Sequence, residues 1–275
     1  MKKFLSLILS LALLLYNSGC ADKTPVLQPA KNIYTTVDFS NLFDGINGCA
    51  VFYDPVILKY SFYNEQMCNE RYSPYSTFKI IGVLEGLKQG VIASEQSTMN
   101  YSGEVYPFES WNKNLNLYEA FQSSCVWYFR QVIDGIGQEN IQNALNSLNY
   151  GNCDVSQWQG SGLNPTADTN GFWLGSSLKI SPKEQIKVVS DIFEEKTDYT
   201  QDEITILKNV MVSDKEGVYG KTGTGRDSSA WYVGFYEADN HKIYFAVYLQ
   251  DDTVENIAGA TAKEITNKII DKYYR

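Results

Sequence analysis

The chain changes residue periodicity twice, and this constrains its fold more than any other feature. Cys49-Ala50-Val51-Phe52-Tyr53 and Lys59-Tyr60-Ser61-Phe62-Tyr63 are β-prone runs around Asp54-Pro55 and read as a hairpin. Strand periodicity returns near Tyr219. Ala230-Trp231-Tyr232-Val233-Gly234-Phe235-Tyr236 and Lys242-Ile243-Tyr244-Phe245-Ala246-Val247-Tyr248 are long runs joined by an Asp239-Asn240 turn, and a helical pattern over about 258–272 follows. Between these ends the period is helical. One pattern starts near Ser76 and continues through Phe78, Ile80, Ile81, Val83, Leu84 and Leu87, with Gly90 just beyond it. Others cover 115–133 and 139–148. A further helix starts at Ser181-Pro182-Lys183-Glu184, with proline in the first turn and capping-box spacing from Ser181 to Glu184. A loop rich in Gly, Asn and Asp covers about 151–170. The pattern predicts an α+β fold of the α/β sandwich type. A central antiparallel sheet is built from both chain ends and flanked by helices, with a mostly helical inserted lobe.

The first residues belong to a different solvent. Met1-Lys2-Lys3 precedes an apolar run from Phe4 to Leu15, interrupted by Ser6 and Ser10. It is too short to span a bilayer and has the form of a signal segment. Small residues before Cys20 resemble a lipoprotein signal in which that cysteine is lipidated after cleavage; plain secretion is the alternative. The expected organisation is a signal peptide over 1–19, a polar tether over 20–37 and one catalytic unit over 38–275. The protein is expected to work outside the cytoplasmic membrane, anchored by lipid at Cys20. Cleavage there changes the charge from −9 to 21 − 32 = −11.

Composition removes several functions. The chain has one histidine, so a Ser-His-Asp triad is possible only at His241, and a metal site with several His ligands is impossible. His241 follows Asp239-Asn240 and reads as a solvated turn residue. An acidic balance without a basic run argues against nucleic acid. Cys49, Cys68, Cys125 and Cys153 match no metal spacing. An exported chain permits disulfides among them, with three pairings open. Any proton transfer therefore falls to Lys, Glu, Asp or Tyr.

Ser-x-x-Lys occurs three times, at Ser76–Lys79, Ser110–Lys113 and Ser176–Lys179. Only Ser76-Thr77-Phe78-Lys79-Ile80-Ile81 opens a strongly apolar helix. A serine there meets free N–H groups and a helix dipole that favours an anion by about 0.3–1 kcal/mol. Residues i and i+3 share a helix face, so Lys79 points at Ser76. A lysine acts as a base only when neutral. Bringing its pKa from about 10.4 to 7 costs about 4.6 kcal/mol, which burial can supply. A neutral buried amine can also take up carbon dioxide as a carbamate. Lys221-Thr222-Gly223-Thr224 occurs once. A strand edge of this type can bind a carboxylate and let a substrate backbone lie close.

Taken together these residues resemble the penicilloyl-serine transferases, and most closely the class D, or oxacillinase-type, serine β-lactamases. Ser76-Thr77-Phe78-Lys79 is similar to the nucleophile motif. Ser124-Cys125-Val126, Tyr150-Gly151-Asn152, Phe172-Trp173-Leu174 and Lys221-Thr222-Gly223 are similar to the later elements, in the family's order. The resemblance covers about 38–275. It implies hydrolysis of β-lactams through an acyl-enzyme on Ser76, with carbamylated Lys79 as general base in both half-reactions. It implies an oxyanion hole from the backbone N–H groups of Ser76 and Thr224. Ser124 passes the proton to the lactam nitrogen with Lys221 close by, and Trp173 donates its indole N–H to the carbamate. Val126 and Leu174 form an apolar lid. Tyr150, Asn152, Thr222, Gly223 and Thr224 are implied substrate-site residues. The only cofactor implied is carbon dioxide or bicarbonate, and no metal.

The residues also leave alternatives open. Trp173, Val126 and Leu174 equally read as packing residues, and Tyr150 and Asn152 as loop holders. Cys125 and Cys153 are inert apolar residues or a disulfide near the site. The family's arginine for the substrate carboxylate has no counterpart over 255–263, where Arg226 or Lys221 with Thr222 would have to substitute. The alternative function is a β-lactam-sensing or penicillin-binding protein that is acylated without rapid turnover. The sequence carries no signal for oligomeric state.

Overall fold

The computed structural model describes residues 31–162 and 164–275. The expected signal peptide, Cys20 and most of the expected tether lie outside the described residues. The sheet has six strands: β1 (Ile33–Thr36), β2 (Gly48–Asp54), β3 (Lys59–Tyr63), β6 (Val218–Thr224), β7 (Ser229–Ala238) and β8 (His241–Gln250). Their order is β1-β3-β2-β8-β7-β6, so the two chain ends meet at the β2–β8 pair in the middle. The short β4 (Thr98–Met99) and β5 (Leu115–Asn116) pair separately.

The sheet is buried on both faces, and strand alternation divides its residues between two cores. Val51, Phe62, Trp231, Val233, Ala246 and Tyr248 face the larger core, shared with α3 (Lys79–Lys88), α5 (Val126–Ile136), α6 (Gln138–Leu148) and α7 (Pro182–Phe193). Ala50, Phe52, Tyr232, Phe245 and Val247 face the smaller one, covered by α9 (Gly259–Tyr273) and, near one edge, by α1 (Ser40–Phe43). The remaining helices are α2 (Glu65–Asn69), α4 (Leu117–Gln122) and α8 (Gln201–Val210).

Three differences from the sequence reading have local causes. The sheet is not wholly antiparallel, because β1 pairs with β3 in parallel. That strand lies inside the stretch read as a tether. Tyr34 stacks on Tyr60 at 5.4 Å and the Thr35 hydroxyl donates to the Tyr60 carbonyl at 3.1 Å, so the ordered domain begins before residue 38. The single helix expected over 115–133 is two, α4 and α5. Asn116 caps α4 in a capping box with Glu119, and the chain breaks where Ser124 takes φ +58°.

The β7–β8 hairpin turns at Asp239 and Asn240, both at positive φ, which suits a two-residue turn. His241 stands beside Asp54, with Nε2 3.0 Å from Oδ1. Thr224 pairs with Ala230 and His241 with Ala238, eight residues further along β7. At about 3.3 Å per residue this puts His241 roughly 26 Å from the Lys221–Thr224 end of the sheet.

Candidate active site

Ser76 lies in a 3-10 turn, Tyr75–Phe78, that leads into α3; the α-helix itself starts at Lys79, three residues later than expected. Tyr75 sits at φ +47°, which for a bulky residue costs about 1–3 kcal/mol. The surroundings fix that geometry. The Tyr75 N–H donates to the Trp173 carbonyl at 3.0 Å, and the Tyr75 hydroxyl donates to Asp227 Oδ1 at 2.9 Å. The Ser73 hydroxyl donates to the same Trp173 carbonyl at 3.1 Å and accepts from the Gly175 N–H at 2.9 Å. The Trp231 indole N–H donates to the Ser73 carbonyl at 2.9 Å. The turn is thus tied both to the 172–175 segment and to β7.

Within it, Lys79 Nζ lies 2.7 Å from Ser76 Oγ. Lys79 is fully buried, and Phe129 presents its ring 5.4 Å from the ammonium nitrogen. Burial lowers its pKa to about 7, opposed by the Cys125 thiol. Near neutral pH this makes the neutral amine, whose lone pair can take the Ser76 proton, readily accessible.

The edge of β6 runs against this turn. A Cβ on Gly223 would sit 3.3 Å from the Pro74 carbonyl oxygen and 3.5 Å from the Ser76 backbone nitrogen. A side chain there would be tight against the Pro74 carbonyl and in ordinary contact with the Ser76 nitrogen, so the strand passes close to the turn. Two residues earlier, Lys221 is buried on the same face of β6. Its ammonium donates to the Thr222 carbonyl at 3.0 Å and lies 5.5 Å above the Phe121 ring of α4. Burial pushes its pKa well below the usual lysine range, and the charges of Lys79 and Lys263 push it further. Thr222 and Thr224 face α9, where the Thr224 hydroxyl accepts from the Gly259 N–H at 2.9 Å. Ser124 sits three residues after Phe121, in the break between α4 and α5.

Trp173 is fully buried. Its ring packs at 5.7 Å from Phe78, and a Cβ on Gly171 would overlap it at 2.2 Å. Its indole N–H is a buried donor without a partner among the described residues. Val126, the first residue of α5, and Leu174 are half-buried against the main core.

Tyr150 and Asn152 make the protein contacts of the loop-holding alternative. The Tyr150 ring packs edge-on against Phe78 at 5.8 Å, and its hydroxyl faces Gln185, which in turn donates to Thr77. Asn152 bonds the Ser177 carbonyl and the Lys179 N–H. Both hold protein against protein, beneath and beside the turn. All four described cysteines are free thiols. Burial pushes Cys125 up to about 12, so it is an inert neighbour of Lys79. Arg226 lies in the β6–β7 turn.

Sequence reasoning passed over Ser73, Tyr75, Gln185 and Lys263. Ser73 and Tyr75 flank Pro74 immediately before the nucleophile, so their positions were visible, but nothing local marked their partners. Lys263 pairs with Asp214 at 2.6 Å and shares a small cavity of about 90 Å3 with Lys221 and Thr222. It is a cation in the C-terminal stretch where no arginine stands.

The penicillin-binding protein transpeptidase domain matches residues 48–271. The regulatory protein BlaR1 of Bacillus licheniformis is 32% identical over 244 residues, 86% of this chain and 38% of that protein. The chain therefore spans less than two fifths of that relative's length. Among solved structures, the class D β-lactamase of Bacillus subtilis superposes with a TM-score of 0.77 at 30% identity, covering 86% of this chain and 95% of that one. The C-terminal domain of the Bacillus licheniformis BlaR penicillin-receptor gives 0.78 at 30% identity, covering 88% and 96%. No group of His, Cys, Asp and Glu among the described residues is arranged to hold a metal ion, and no described helix is long and apolar enough to cross a membrane. With a family match over most of its length and a serine–lysine turn set against a Lys-Thr-Gly strand, the chain belongs to the penicillin-binding protein transpeptidase family and has the fold of the class D β-lactamases.

Proposed function

We propose that the chain hydrolyses β-lactams through an acyl-enzyme on Ser76. The observation that carries this is the buried pair itself: a serine hydroxyl 2.7 Å from a lysine whose burial holds it near pKa 7. Ser76 Oγ attacks the lactam carbonyl while the Lys79 side chain takes its proton. The N–H groups of Ser76 and Thr224 face the developing oxyanion, where one such donor is typically worth about 2.7–4 kcal/mol. Ser124 and Lys221 return a proton to the lactam nitrogen as the ring opens. Lys221 and Thr222 hold the substrate carboxylate, and Val126 and Leu174 form an apolar lid over Lys79.

Lys79 is taken to carry a carbamate formed from carbon dioxide, which supplies an anionic oxygen base for both acylation and deacylation. The buried, unpartnered indole N–H of Trp173, packed against Phe78, fits an additional acceptor of that kind. A buried donor left unpaired costs about 1–3 kcal/mol, so filling it is favourable. The protein is placed outside the cytoplasmic membrane, held by lipid at Cys20, on the strength of the N-terminal residue pattern.

A second reading is favoured by the likeness to BlaR1 and to the BlaR receptor domain: a sensor that is acylated and stays acylated. Turnover of a chromogenic cephalosporin with and without bicarbonate decides between them. Hydrolysis that rises with bicarbonate supports the enzyme. A stoichiometric burst followed by silence at saturating bicarbonate supports the sensor.

A further inference from the structure

Arg130 is a buried cation that the proposed chemistry does not use. Its side chain, on α5, is 4% exposed. The guanidinium carbon lies 5.0 Å from the ring centroid of Trp158 and 5.6 Å from that of Trp173. Each of its three nitrogens donates a hydrogen bond. Nε donates to Asp134 Oδ2 at 2.8 Å, Nη2 donates to Asp134 Oδ1, and Nη1 donates to the Trp158 carbonyl at 2.9 Å. Trp158 closes the circuit: its indole N–H donates to Asp134 Oδ1 at 3.2 Å and its ring stacks on Phe172 at 5.1 Å and 15°. One network thus joins α5, the 151–170 loop and the segment carrying Trp173.

The two indoles touching this guanidinium differ in one respect. Trp158 spends its N–H within the network, and Trp173 does not. A planar cation against an aromatic face limits how the ring can tilt and polarises it, which strengthens its N–H as a donor. The charge of Arg130 is matched by Asp134. The pKa of Lys79 is lowered by burial and raised in opposition by Cys125, and Arg130 is not among the causes. Arg130 therefore reaches the lysine through the Trp173 ring and not through its own field.

We propose that Arg130 is a positioning residue that, with Trp158 and Asp134, holds the Trp173 indole N–H in place to bind the carbamate on Lys79. This rests on the carbamate reading above. The test titrates the full chain with carbon-13 bicarbonate and follows the lysine carbamate by NMR, independently of any substrate. Arg130→Met is expected to raise the bicarbonate needed for half occupancy by about tenfold, the worth of one well-placed buried hydrogen bond. Arg130→Lys keeps the charge opposite Asp134 but not the plane, and is expected to fall between the two; it serves alone where Arg130→Met does not fold. A purely structural role would lower the melting temperature and leave half occupancy unchanged. That result in a folded variant, with a carbamate present in the wild type, overturns the role of Arg130 alone. Absence of the carbamate in the wild type overturns the base reading, and this inference with it.

Discussion

The Ser76 and Ser110 turns share a motif and have opposite fates. Both place a serine in a short 3-10 turn with a lysine three residues on. After Lys79 come Ile80 and Ile81, which enter the main core and take the lysine with them. After Lys113 come Asn114 and Leu115 and then the Asn116 cap of α4, so Lys113 stays 57% exposed and pairs with Glu119 at 2.8 Å. An exposed pair of that kind contributes little. The spacing is the same, but only the apolar helix buries the lysine and lowers its pKa. The third copy supports the same lesson. Ser176 donates to Gln157 at 2.7 Å, and its hydroxyl is engaged elsewhere.

The contrast can be tested from its strongest consequence downward. Lys79→Ala should lose about 10²–10⁴-fold in acylation rate, the usual worth of a general base, while the far-ultraviolet spectrum stays native; stopped-flow acylation reads this. Gly223→Val should cost up to about 100-fold in kcat/KM, because its branched side chain crowds the Pro74 carbonyl and the Ser76 nitrogen, and about 1 Å of misplacement has that effect. The melting temperature should move much less.

Lys79→Met should separate chemistry from stability. In carbon dioxide-free buffer the wild-type lysine is protonated below about pH 7 in both states, and the folded state carries it at a cost. Between pH 7 and 10.5 only the unfolded chain holds that proton, so wild-type stability rises with pH. Relative to Lys79→Met, denaturant unfolding should show the wild type gaining about 2–3 kcal/mol between pH 7 and 9, at about 1.4 kcal/mol per pH unit. A flat difference would mean the lysine is not held neutral by burial. At the weak end, Lys113→Ala should change kcat/KM and stability by almost nothing, within about 0.5 kcal/mol.

Much of this was legible along the chain because local rules and burial agreed. The β7–β8 runs, the Asp239-Asn240 turn and the Ser181 capping box follow directly from residue type. The Ser76–Lys79 pair was legible because helix spacing and apolar neighbours pointed the same way. The illegible parts depend on distant partners. The break at Ser124 interrupts a continuous helical pattern. The left-handed Tyr75 is stabilised by Trp173 and Asp227, 98 and 152 positions away. The protein contacts of Tyr150 and Asn152 were not legible, because a motif names residues without saying which way they face. Arg130 carries no local mark in the sequence, because its partners Trp158 and Trp173 lie 28 and 43 positions away.

The most direct test of the central claim is intact-mass measurement of the protein during a β-lactam time course in bicarbonate buffer. The account predicts an adduct on Ser76 that appears, passes through a maximum and vanishes as substrate is exhausted, with free enzyme recovered. An adduct that accumulates to one equivalent and persists would contradict hydrolysis and leave a receptor in its place.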